Sequence, residues 1–275
     1  MITTSEALIL GVVEGLTELL PVSSTGHLIL VDHWLSGGAA GEAEQAARNN
    51  FNIVIQFGAI VAILFYYRRL LWETLRGLPA REPRAWRLAA ALAIAFFPAA
   101  ITGLLFEDAI DRYLFGVAPV IGALAAGGAL MIGVELWRAR RGSVGLSDLA
   151  DVTPRRALVI GLCQVASLWP GTSRSMATIV GGQIAGLSTS TAAEFSFLLS
   201  LPTLGAATLY KLVKTGPAIV ESSAGAAPLL LGLLVAGIVT WIVIGGFLAY
   251  LKRYGLIPFG VYRILLAGAL ALLWL

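Results

Sequence analysis

The chain has 275 residues, of which 58% are hydrophobic and only 13% charged, with a mean hydropathy of +0.85. Soluble domains carry about 25% charged residues, so this composition excludes a soluble fold and points to an integral membrane protein. A formal charge of +3 gives no reason to expect a nucleic-acid partner, and a lone cysteine, Cys163, excludes an internal disulfide or a cysteine metal cage.

Apolar runs of about 18–23 residues between short charged loops indicate helices rather than barrel strands, which alternate. The N-terminus lacks a basic region and a small-residue cleavage site, so no removable signal peptide is expected. Residues 6 to 35 form a first apolar unit, interrupted at Pro21 and Gly26. At about 30 residues it is too short for two spans of about 20 each, so it reads as one broken span or a re-entrant hairpin. A polar linker, Ser36 to Asn50, precedes a span from Phe51 to Tyr67. The loop from Arg68 to Arg87 is rich in arginine. Leu88 to Phe106 is the next span, followed by an acidic turn of Glu107, Asp108, Asp111 and Arg112. Phe115 to Trp137 spans again, and a second arginine-rich loop covers 138–156. Ala157 to Gly186 is a second interrupted unit, broken at Trp169-Pro170-Gly171. Ala192 to Leu212, Pro228 to Leu251 and Phe259 to Leu275 are three further spans. The arginine-rich loops belong in the cytoplasm by the positive-inside rule.

An internal repeat relates the two interrupted units. ALILGVVEGLTELLPVSST from Ala7 resembles ALVIGLCQVASLWPGTSR from Ala157, with Ala7/Ala157, Gly11/Gly161 and Glu14/Gln164 at a spacing of 150. After a one-residue deletion, Pro21 pairs with Pro170 and Ser24 with Ser173. The chain therefore reads as one membrane domain of two repeats, about 1–137 and 157–275, joined by the basic loop. If both interrupted units are re-entrant, the three spans between them make the repeats inverted in topology.

Chemistry concentrates at the two breaks. Glu14 and Glu18 lie four apart, on one helix face, at a depth where carboxylates are costly and functional by default. They suit a hard cation such as Mg2+ or Ca2+, and one of them could serve as a proton acceptor. Ser23, Ser24 and Thr25 offer hydroxyls directly after the break, and His27 can act as general acid or base. In the second unit Arg174 follows a helix break, and Ser173, Ser175 and, one turn on, Thr178 can add hydroxyl donors for a bound substrate phosphate. A guanidinium beside a new helix N-terminus suits a phosphate, although a buried salt bridge to Glu14, Glu18 or Glu194 is the structural alternative. Gln56 could line the site. Glu135, Glu194 and Arg263 read as packing partners, and His33 with the tryptophans as interfacial.

EGLTELLPVSSTGH together with PGTSRSMAT resembles the undecaprenyl-diphosphate phosphatase family, membrane phosphatases associated with bacitracin resistance. The resemblance extends over essentially the whole chain. It implies hydrolysis of undecaprenyl diphosphate to undecaprenyl phosphate and inorganic phosphate, returning the carrier to cell-wall (peptidoglycan) synthesis. It also implies a divalent cation, a bacterial inner-membrane location with the site facing the periplasm, and an all-α fold of six spans with two re-entrant hairpins. By that pattern Glu14 and Glu18 are the acidic positions, Ser24 and His27 the serine and histidine of the first motif, and Ser173, Arg174 and Thr178 belong to the second. Met176 stands where glycine is common, and it should face packing. Ser24 could attack phosphorus with His27 handling its proton, or a metal-activated water could attack while Ser24 binds phosphate. Transport of a lipid phosphate or anion is the competing function, since inverted broken helices are also a transporter architecture. The partners expected are the polyprenyl diphosphate and bilayer lipids. The oligomeric state is left open, a homodimer being one option.

Overall fold

The computed structural model describes residues 2–36, 41–114, 116–142, 145–215 and 226–274. Phe115, Leu275 and residues 37–40 of the expected linker lie outside them, as does the Asp111 side chain. The described chain is helical: α1 Thr4–Thr17, α2 Ser24–Leu35, α3 Glu42–Tyr66, α4 Arg68–Gly77, α5 Pro83–Leu114, α6 Val117–Arg141, α7 Pro154–Val165, α8 Arg174–Ile184, α9 Thr189–Thr215, α10 Ala226–Tyr254 and α11 Ile257–Trp274. Six stretches are long and apolar enough to cross a membrane: Ala47–Tyr66, Pro83–Ile110, Val117–Arg141, Thr189–Tyr210, Ala226–Tyr254 and Ile257–Trp274. The protein is a multi-pass membrane protein.

The four helices of the interrupted units are different. They have 14, 12, 12 and 11 residues. At 1.5 Å per residue that is about 17–21 Å each, short of the roughly 30 Å hydrocarbon core. Their starts are set locally. Thr3 caps α1 in a capping box with Glu6, and Thr153 caps α7 ahead of Pro154, whose missing N–H costs nothing at the first helical position.

Four sequence expectations are corrected. Gly26 does not break the chain a second time but lies inside α2, because a glycine in a first turn is tolerated once the turn is packed. The polar linker is helical from Glu42, because its polar residues find partners, as described below. The acidic turn around Glu107 is a continuation of α5 beyond a distortion at Phe106 (φ −118°, ψ 15°). The loop after Arg68 carries the short helix α4.

The helices form two compact units. The first comprises Met1–Leu19, Ser24–Tyr67 and Ser200–Gly245. Lipid tails are as apolar as leucine, so close van der Waals contact between small residues, rather than escape from water, holds such helices together. Gly11 and Gly15 of α1 meet α10 in this way: a Cβ at either would lie 2.7 Å from the carbonyl oxygen of Gly232 or Ala236. Arg48, 3% exposed, forms ion pairs with Glu6 of α1 and, at 3.2 Å, with Asp32 of α2. Asn52 donates to the second Asp32 oxygen at 2.6 Å. This network ties both mouths of the first hairpin to α3.

The second unit comprises Leu20–Ser23, Arg68–Leu199 and Gly246–Leu275. Here α6 packs on α11, and α7 is held between α5 and α8. Gly128 and Gly260 let α6 and α11 approach closely, and Gly161 does so for α7 against the Ala95 carbonyl of α5. Two arginines of the basic loops bind the end of α8. Arg138 donates to the carbonyls of Gln183 (2.9 Å) and Leu187 (2.6 Å), and Arg156 to that of Ala185 (3.2 Å). They add donors to carbonyls at the end of α8 and in the turn that follows it.

Candidate active site

Both hairpins restart their second helix through the same rare conformation. Ser23 (φ 73°) and Ser173 (φ 70°) precede α2 and α8, and Arg81 is the only other described non-glycine residue with positive φ. Such backbone is costly for a residue with a Cβ and concentrates at functional loops. The equivalence extends along the hairpins: the caps Thr3/Thr153, the serines Ser23/Ser173 and the helix starts Ser24/Arg174 all lie 150 apart. This corrects the sequence pairing of Ser24 with Ser173. The turn geometry sets the register, whereas the two prolines occupy neighbouring positions within it.

In the first unit, Glu14 is fully buried and Glu18 is 7% exposed. Ser24 Oγ donates to Glu18 Oε2 at 2.7 Å, so the first residue of α2 is fastened to the end of α1 by one carboxylate. His27 is half-buried in the first turn of α2, and Thr25 is exposed. Ser23 is buried and belongs to the second unit.

In the second unit, Ser173 caps α8, its Oγ accepting the Met176 N–H at 3.3 Å and lying 3.0 Å from Ser175 Oγ. Arg174 is half-buried, and its Nη1 donates to the Ser196 carbonyl of α9 at 3.1 Å. Ser175 and Thr178 are fully buried. Ser175 Oγ donates to the Leu20 carbonyl at 2.9 Å, so α8 is bonded directly to the first hairpin's loop. Thr178 Oγ1 donates to the Arg174 carbonyl at 2.8 Å and lies 2.6 Å from Ser196 Oγ. Met176 is buried, as its packing role requires.

Two buried residues that contact the loops carry no functional reading in the sequence. Ser196 is one of many hydroxyls on an apolar helix, with no pattern to single it out. Arg263 reads as a packing residue, yet it is fully buried and donates to carbonyls of both broken loops. Its signal was legible: a cation in an apolar span whose neighbours one turn away (Phe259, Gly260, Leu266 and Ala267) are all uncharged. Of the remaining polar residues, Glu135 accepts from Gln183 Nε2 at 2.7 Å, and Gln56 is half-buried. Glu194 borders a cleft of about 770 Å³ together with Glu135, Arg138 and Lys252. His33 and Trp34 are exposed, in keeping with an interfacial position.

Among the described residues there is no cluster of three or more His, Cys, Asp or Glu able to cage a metal ion. Glu14 and Glu18, one turn apart, are instead a two-carboxylate set. That set fits Mg2+, which keeps waters and is ordinarily bound by one or two carboxylates plus substrate phosphates.

Comparison with known proteins gives the family. Residues 7–269 match the family described as bacitracin resistance protein BacA. The chain is 57% identical over 270 residues to the undecaprenyl-diphosphatase of Sorangium cellulosum, covering 98% of this chain and 85% of that protein. It is 42% identical to the undecaprenyl-diphosphatase of Thermoanaerobacter sp. (98% and 95% covered) and 39% identical to that of Bacillus velezensis (97% and 96%). A match over nearly the whole length, on top of the paired motifs, places this chain in the BacA family of bacitracin resistance proteins.

Proposed function

We propose that the protein is an undecaprenyl-diphosphate phosphatase of the bacterial inner membrane, releasing inorganic phosphate and undecaprenyl phosphate for cell-wall synthesis. The observation that carries an enzymatic reading is the 2.7 Å hydrogen bond from Ser24 Oγ to Glu18 Oε2. A hydroxyl whose proton is already directed at a carboxylate is the arrangement of an activated nucleophile, for which a carrier has no use.

In this reading Arg174 and Ser173, with the N-terminus of α8, grip the diphosphate and stabilise charge on the transferring group. Ser23 and Thr25 supply further hydroxyls from the first loop, while Ser175 and Thr178 hold the second loop in shape. Ser24 Oγ attacks the terminal phosphorus, its proton passes to Glu18 or His27, and the bond to the bridging oxygen breaks. Undecaprenyl phosphate leaves and the proton passes to solvent; water then attacks the phosphoserine, giving its proton to the same groups, which return it to the departing Ser24 oxygen. Glu14 and the remaining oxygen of Glu18 would hold a divalent cation, Mg2+ or Ca2+, which neutralises phosphate charge when bound. The short hairpins support a re-entrant placement, and the positive-inside rule puts the mouth of α1–α2 on the periplasmic side.

The test is phosphate release from undecaprenyl diphosphate by purified protein in detergent, with Mg2+, with chelator, and for Arg174→Ala and Glu18→Ala. Metal-dependent release lost in both variants is the expected result. Well-folded wild-type protein that releases nothing would overturn the reading. Trapping of 32P on wild type and not on Ser24→Ala decides between serine attack and water attack.

A further inference from the structure

Arg263 of α11 is the largest fully buried side chain among the described residues, and it forms no ion pair there. Its guanidinium instead donates to four backbone carbonyls. Nε reaches Leu124 at 3.3 Å and Nη2 reaches Ala123 at 3.1 Å, both on α6. Nη1 reaches Pro21 at 3.2 Å, and Nη2 also reaches Gly171 at 3.0 Å. Pro21 and Gly171 are 150 residues apart, the same offset that relates the caps and the Ser23/Ser173 turns. One planar head therefore bridges equivalent carbonyls of the two repeats. Attachment of α11 to α6 does not need it, since Gly128 and Gly260 already bring those helices together. A buried cation held only by neutral acceptors is a costly way to pack helices, so its retention asks for another purpose.

We infer that Arg263 is a positioning residue: it fixes the separation of the two broken loops, and through them the placement of Ser23 and Ser173 at the helix restarts, without touching substrate. This rests on the phosphatase reading for its effect on turnover, but not for its effect on the loops. The fork matters as much as the charge. A lysine ammonium is a point donor on a flexible stem and cannot span carbonyls on opposite sides of a planar head.

Loop order is read by maleimide labelling of Val22→Cys and, separately, Thr172→Cys in a Cys163→Ser background. Both positions are buried, at 5% and 6% exposure. Arg263→Gln and Arg263→Lys should each speed labelling at both by about tenfold or more, while a control cysteine at Ala91, buried on α5, is unchanged. In turnover assays both variants should lose about 30-fold or more in kcat, with thermal stability little altered. Equal acceleration at the Ala91 control, or none at the loops, would overturn the inference. So would a lysine variant near wild type beside an inactive glutamine variant, because charge alone would then suffice. Should the Arg263 variants not fold, Gly127→Ala serves instead, since its new methyl would collide with Nη2 and displace the head without removing it. It should speed loop labelling about fivefold, and unchanged labelling would refute the brace. Loss of phosphate release in the wild type itself would count against the proposed activity alone, since the labelling result stands without it.

Discussion

At position 14 of the first hairpin stands a glutamate, and at 164, its equivalent in the second, a glutamine. The same offset turns Glu18 into Leu168, Ser24 into Arg174 and His27 into Ala177. The backbone barely changes: both hairpins are capped by threonine, broken near the same point and restarted from a serine with positive φ. In the proposed reading one copy carries the groups that would bind a cation and move protons, and the other those that would bind an anion. A single turn geometry, duplicated, offers two helix starts whose side chains are free to diverge. A diphosphate with its counter-cation needs one of each.

That division can be broken first at Arg174. Arg174→Ala should lower kcat/KM by about 10³-fold, the scale of losing a bidentate donor to the transferring phosphoryl group. Arg174→Lys should recover less than about a tenth of wild-type activity, as a point charge lacks the fork. Steady-state phosphate release measures both, and an alanine variant within tenfold of wild type would remove Arg174 from the chemistry.

Arg48 is the contrasting buried arginine, since its ion pairs with Glu6 and Asp32 hold helices rather than ligand. Arg48→Ala leaves two carboxylates without their cation and should cost about 3 kcal/mol of stability. It should show as a lower thermal midpoint in detergent while activity per folded molecule at low temperature stays near wild type. A specific loss of kcat with unchanged stability would make Arg48 functional instead.

Glu14→Gln gives the first hairpin the residue of the second at a fully buried position. The substitution is nearly isosteric, so folding should survive, while activity falls about 10–100-fold, the scale of weakened metal ligation. Raising Mg2+ should restore part of it. A loss that no Mg2+ concentration relieves would assign Glu14 to proton transfer or structure rather than to the ion.

How far these roles are legible in the sequence depends on what each one physically requires. Spans and breaks follow from hydropathy and proline, so the long helices and both interrupted units are readable, as is the position of Glu14, Glu18 and Arg174 beside the two breaks. The helical start of α3 was hidden because Arg48 looks solvated until Asp32 and Glu6 are brought to it from other helices. The register of the two loops was hidden as well. A positive φ at serine leaves no compositional trace, whereas prolines attract an alignment. Arg263 stood in plain view, but its acceptors are backbone carbonyls, which every residue carries and which no sequence pattern can point to.

The smallest effect is expected from the reverse exchange, Gln164→Glu. Gln164 is fully buried and its Nε2 donates to the Ala95 carbonyl at 3.3 Å, where α7 crosses α5 through Gly161. An ionised carboxylate there has no proton to give and faces a carbonyl oxygen. It must protonate to replace the lost donor, at a cost of about 1–2 kcal/mol in stability. Protonated, it regains the bond, so the deficit should be smaller at low pH, which thermal melts across a pH series would record. Turnover per folded molecule should stay within about twofold of wild type, because no step assigned to the second hairpin uses position 164. A large loss of turnover without loss of stability would mean that charge at this depth acts on the reaction from either repeat, and the division of labour between the hairpins would be less complete than their side chains suggest.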